Sequence, residues 1–187
     1  LAALIQDGSQ ETVDAVPAVR ILPDDVADRR LTAPGLEEYP GHDAVVLLSR
    51  SEHEITPTGR TRFSTRQVVK LLHRRAFGAY GEVAIPYNSS SQNIGVNIAR
   101  AVLPDGTVVP VGPDSIHDVT PPEALTFNLY SDSLWKVISF PALAEGVILE
   151  YQVTVEDKVG RGNTNNLWFW GAMTFQGPHP TLASQYA

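Results

Sequence analysis

Beyond residue 42, apolar and polar positions alternate with a period of two along most of the chain, and that period predicts strands. In 147–156, VILEYQVTVE, the residues Val147, Leu149, Tyr151, Val153 and Val155 share one face. Glu150, Gln152, Thr154 and Glu156 share the other, with Ile148 the one exception. This is the pattern of a strand with one side in the core and one in solvent. The stretches 43–55 and 61–72 carry a similar pattern and are separated by Pro57-Thr58-Gly59. Proline pre-sets the first angle of a type I turn and glycine takes the left-handed position, so a three-residue hairpin is expected. Its geometry pairs Ile55 with Thr61, His53 with Phe63, Leu47 with Val69 and Val45 with Leu71. On the other face it pairs Glu54 with Arg62, Glu52 with Ser64 and Leu48 with Val68. A slip of one residue would mix the two faces.

The device recurs at Pro104-Asp105-Gly106, which predicts Ala101 opposite Val109 and Val102 opposite Val108. A phosphate loop would need a glycine run leading into a helix. A calcium loop would need alternating acids and a closing glutamate. The strand-like TVVPV follows instead, so this is a corner of the chain. Further strands are expected at 134–140 and, apolar on both faces, at 165–175. The stretch 73–82 holds one helical turn or an irregular crossover. Residues 1–38 contain scattered prolines and no lasting period, and they read as a linker or wrapping segment with one helical turn near 24–31. The expected fold is all-β, an antiparallel β-sandwich built from hairpins over 39–187, preceded by the irregular segment 1–38.

Composition narrows the function. The formal net charge of −7 argues against nucleic acid as a partner. No apolar run reaches the length of a membrane span. The chain has no cysteine, which excludes disulfides, thiolate metal sites and a cysteine nucleophile within it. None of the five histidines stands three or four residues from another, so neither a zinc site nor any other metal or cofactor is expected. His117 and Asp118 are adjacent on a predicted strand and point to opposite faces, so they do not form a His–Asp couple. No GxSxG elbow is present, and the chain is not expected to be an enzyme by itself.

Two features are candidates for an interaction surface. Trp168 and Trp170 lie two apart and share a strand face; with Trp135 they either fill a core or offer rings for stacking. Between Arg60 and Arg75 lie six of the fourteen basic residues and no acid. Arg62, Arg66 and Lys70 there suit an acidic partner or a neighbouring domain, or else form a solvated strand face paired with acids such as Glu52 and Glu54.

In order along the chain, VVKLL, IPY before a polar loop, A-R-x-x-x-PDG-x-V and YSD…FP-x-L-x-x-G-x-x-x-EY resemble the bacterial domain of unknown function 3857 over residues 39–187. The resemblance implies an all-β sandwich in exported, periplasmic or extracellular proteins, N-terminal to a transglutaminase-like (cysteine-protease-like) core. It implies a non-catalytic accessory domain that packs against that downstream domain or positions its substrate. It carries over no catalytic residue, and it leaves one or two final strands to follow residue 187. The alternative is a stand-alone module that binds a glycan or a protein.

Overall fold

The computed structural model describes residues 33–122, 132–159, 175 and 177–187. The chain is all-β, as expected. Among the described residues, nine strands form two sheets: β1 (Ala44–Ile55), β2 (Thr61–Leu71), β3 (Glu82–Asn88), β4 (Gln92–Val102), β5 (Val108–Pro110), β6 (Ile116–Val119), β7 (Ser133–Ser139), β8 (Ile148–Asp157) and β9 (Ser184–Tyr186). The large sheet has the order β5-β4-β8-β2-β1-β9 and the small one β3-β7-β6. Every strand pairing is antiparallel except that of β9, which lies parallel along β1.

Both predicted hairpin corners form. At the first, the Gly59 amide donates to the Thr56 carbonyl at 2.9 Å, with φ of 75° at Gly59. At the second, the Gly106 amide donates to the Leu103 carbonyl at 2.9 Å, with φ of 94°, and the Thr107 amide donates to Asp105 Oδ1 at 2.8 Å. Ala101 faces Val109 and Val102 faces Val108, as the corner requires.

The first hairpin keeps its expected register from Ile55–Thr61 to Leu48–Val68, and then it shifts. Val46, not Leu47, faces Val69, and Ala44, not Val45, faces Leu71. A bulge between Val46 and Leu48 accounts for the correction. The run VVLL has no alternation to hold a register, and the extra residue places Leu47 and Leu48 on the same side, with Val45.

A second correction concerns 147–156. Both faces of β8 are buried over 148–154: the core lies against one, and Arg66 and Arg100 engage Glu150 on the other. Its polar side is sheltered too: Glu150 is 0% exposed, and Gln152 and Thr154 are also buried. The stretch 73–82 carries a short 3-10 turn, Arg74–Ala76, and one α-turn, Phe77–Tyr80, which lead from β2 across to β3. The predicted helical turn at 24–31 and the predicted strand at 165–175 lie outside the described residues.

The main core lies between the sheets. Ala44, Val46, Val69, Leu71, Ala101 and Leu149 of the large sheet meet Ile138, with Val83, Ile85 and Ile116 packed around them. A second apolar cluster, centred on Val45, Leu47, Leu48, Val68 and Ile148, sits on the opposite side of the large sheet against Ala33, Tyr39 and Ala183. Along the inner face, the row Ala101–Leu149–Val69–Val46 is wholly apolar. The next row, Ala99–Tyr151–Gln67–Ser49, turns polar at β2 and β1. That change opens the inner face to chemistry at its β1–β2 side.

Candidate functional site

The large sheet carries a polar group on each side. On the outer side, β4, β8 and β2 bring Arg100, Glu150 and Arg66 together. Arg66 donates to Glu150 Oε1 from Nε at 2.9 Å and from the terminal nitrogen at 2.5 Å. Arg100 Nε donates to the other oxygen, Oε2, at 2.6 Å. The carboxylate is thus held between two guanidinium groups, the geometry in which a buried charge is tolerated. Below it, the Thr154 hydroxyl donates to Asn97 Oδ1 at 2.8 Å and stands 3.4 Å from Ser64 Oγ, which Gln152 Nε2 also reaches at 3.4 Å. Arg60 with Glu156, Arg62 with Glu54 and Arg50 with Glu52 extend the charge pairing toward the rim.

Arg62, Arg66 and Lys70 share this outer face, four residues apart along β2. Arg66 is 5% exposed and engaged with Glu150. Arg62 stands 3.7 Å from Glu54, and Lys70 Nζ donates to the Ala33 carbonyl at 3.0 Å. Trp135 is half-buried in β7, opposite Pro86 of β3 and Val119 of β6, away from that strand. Trp168 and Trp170 lie outside the described residues. His117 and Asp118 occupy successive positions of β6. The Asp118 carboxylate accepts from the Tyr87 hydroxyl at 2.9 Å and from Lys136 Nζ at 2.8 Å. Partial burial raises its pKa, but these two donors outweigh burial and hold it below the usual value.

On the inner side, over β1 and β2, lies a crevice of about 190 Å³. Val46, Ser49 and Gln67 line it from the sheet, Tyr80 from the α-turn, and Phe175 and His179 from the C-terminal segment. That segment is held to β1 by its backbone: the amides of Val46, Ser49 and His53 donate to the carbonyls of Pro180, Ala183 and Ala187. The Tyr80 and His179 rings meet at 5.6 Å. Gln67 Oε1 accepts from the Tyr151 hydroxyl at 3.0 Å. Burial pushes the Tyr151 phenol up to about 12, with Tyr80 adding to the rise, and burial likewise raises Tyr80. Among the described residues, Ser49 Oγ, Gln67 Nε2, the Tyr80 hydroxyl and the His179 ring make no hydrogen bond to the protein, and His179 Nδ1 is shut from solvent.

Sequence reasoning missed both groups. In the sequence Glu150 is only one of four polar residues on the face of 147–156 that reads as wet, and its two arginines come from strands 84 and 50 residues away. The crevice draws on four separate stretches of chain, and its only local trace is the break in apolar alternation at Ser49 and Gln67. Among the described residues, no three His, Asp or Glu side chains are grouped to hold a metal ion, and no helix is long and apolar enough to cross a membrane.

Comparison with known proteins adds two findings. The family described as a domain of unknown function with solved structure, DUF3857, matches residues 57–187. The crystal structure of "a putative protease from Parabacteroides distasonis ATCC 8503" is similar in fold, with a TM-score of 0.60 and 20% sequence identity over 63% of this chain. The match spans 24% of that longer chain. No curated protein matches.

Proposed function

This chain belongs to the DUF3857 family, and from that premise we propose that it is a non-catalytic accessory β-sandwich of an exported bacterial transglutaminase-like protein. In this reading it packs against a downstream cysteine-dependent catalytic domain, or positions substrate for it, in the periplasm or outside the cell. The observation that carries the reading is one of coverage. About 63% of this chain corresponds in fold to 24% of a longer chain described as "a putative protease". The absence of cysteine from this sequence is consistent with that division, since a thiolate nucleophile would have to come from another part of the polypeptide. The satisfied Arg66–Glu150–Arg100 group suits a rigid wall, because each charged partner fixes the position of the others across three strands.

The test compares the isolated chain with the full-length natural protein. Peptide-hydrolase or acyl-transfer activity is expected in the full-length protein, is expected to depend on one of its cysteines, and is expected to be absent from residues 1–187 alone. Such activity in the isolated chain would overturn the proposal. So would a natural protein with no cysteine-bearing domain.

A further inference from the structure

The crevice beside β1 and β2 presents hydrogen-bonding capacity that the protein does not use. Buried polar groups in folded proteins are nearly always paired, and His179 Nδ1, buried with no hydrogen-bond partner among the described residues, calls for an explanation. Beside it, Ser49 Oγ, Gln67 Nε2 and the Tyr80 hydroxyl, on half-buried residues, also make no hydrogen bond to the protein among the described residues. They accompany two aromatic rings, of which Phe175 is 57% exposed. Among the described residues no Asp, Glu, Lys or Arg lines the crevice, which favours a neutral ligand. A cavity of about 150 Å³ takes up one six-membered ring, so the roughly 190 Å³ available here leaves room for ring substituents.

We infer that the crevice is a binding site for one neutral, polyhydroxylated six-membered ring, the pyranose unit of a glycan. The apolar face of the sugar lies against Tyr80 or Phe175, as aromatic rings accept such faces. Its hydroxyls pair with Ser49, Gln67 and His179, each of which can donate, and two of which can also accept. A peptide segment fits less well. A single backbone unit offers one donor and one acceptor, too few for the four unused tips. The inference stands independently of the accessory-domain reading, because it concerns a ligand of this chain alone.

The experiment is an amide NMR titration of the chain with methyl β-D-glucopyranoside, methyl β-D-galactopyranoside and N-acetyl-D-glucosamine. Each is taken to about 50 mM, above the millimolar dissociation constants of weak small-ligand sites. N-acetyl-L-tyrosinamide and tetraglycine serve as peptide controls. At least one sugar is expected to produce saturable shifts at Ser49, Gln67 and His179, including the Gln67 side-chain amide. Loss of one hydrogen bond in Ser49→Ala is expected to weaken that binding about fivefold. Gln67→Leu also removes the partner of Tyr151, so Tyr80→Phe is the second variant; its fold is checked by its unshifted distant amides. No saturable shift with any of the three sugars overturns the inference. A larger shift of the same signals by either peptide probe also overturns it, in favour of a polypeptide ligand.

Discussion

The two sides of the large sheet hold polar groups of opposite character. On the outer side, Glu150 is completely buried and every oxygen of its carboxylate is engaged by an arginine. On the inner side, Ser49, Gln67, Tyr80 and His179 are only half-buried, and their polar tips are unused among the described residues. The two groups differ in burial and in satisfaction together: a paired buried charge fixes strands relative to one another, whereas half-buried groups around a crevice with no protein hydrogen bond are open to solvent or a ligand.

The contrast is broken most strongly at Glu150. Glu150→Ala leaves Arg66 buried without its partner and is expected to lose about 3–5 kcal/mol, read from the midpoint of urea unfolding. Replacing the pair together, as Arg66→Met with Glu150→Leu, removes both charges and should recover most of that loss if the group acts through charge satisfaction.

The next effect is alkaline and lies where the core meets the crevice. The unfolded Tyr151 phenol ionises at its ordinary value of 10.0, and the folded one at about 12. Between these values the folded state holds the extra proton, so stability is complete below pH 10 and falls as pH rises through that window. In Tyr151→Phe the fall should be shallower, as followed by circular dichroism across the window.

Smaller again are the two corners. A side chain at Gly59 or Gly106 meets the left-handed penalty of about 1–2 kcal/mol, and Gly59→Ala and Gly106→Ala should each lower the melting temperature by a few degrees. The smallest effect is in the crevice. Ser49→Ala and Tyr80→Phe delete groups with no protein partner and should leave stability within about 0.5 kcal/mol of the parent.

What the sequence made legible follows the range of the interactions. Pro57-Thr58-Gly59 and Pro104-Asp105-Gly106 are local devices, and the hairpins they close, with the register next to each turn, could be read directly. The register failed at Leu47, where four consecutive apolar residues carry no alternation and tertiary packing decides which side each takes. The polar face of 147–156 reads as wet because nothing local says that Arg66 and Arg100 close over Glu150. The basic stretch from Arg60 to Arg75 was visible as composition. That Arg66 spends its charge on Glu150 depends on the pairing of β2 with β8, which no turn specifies. Tyr80 and His179 meet through a distant chain segment, a relation without a sequence period.

The most direct test of the distinction between the two groups is a side-by-side urea unfolding of Glu150→Ala and the double variant Ser49→Ala/Tyr80→Phe against the parent. The account predicts a midpoint drop of several kcal/mol equivalent in the first and an unchanged midpoint in the second, with similar denaturant slopes in all three. A crevice variant that unfolds as early as Glu150→Ala, or a Glu150→Ala protein as stable as the parent, would contradict it.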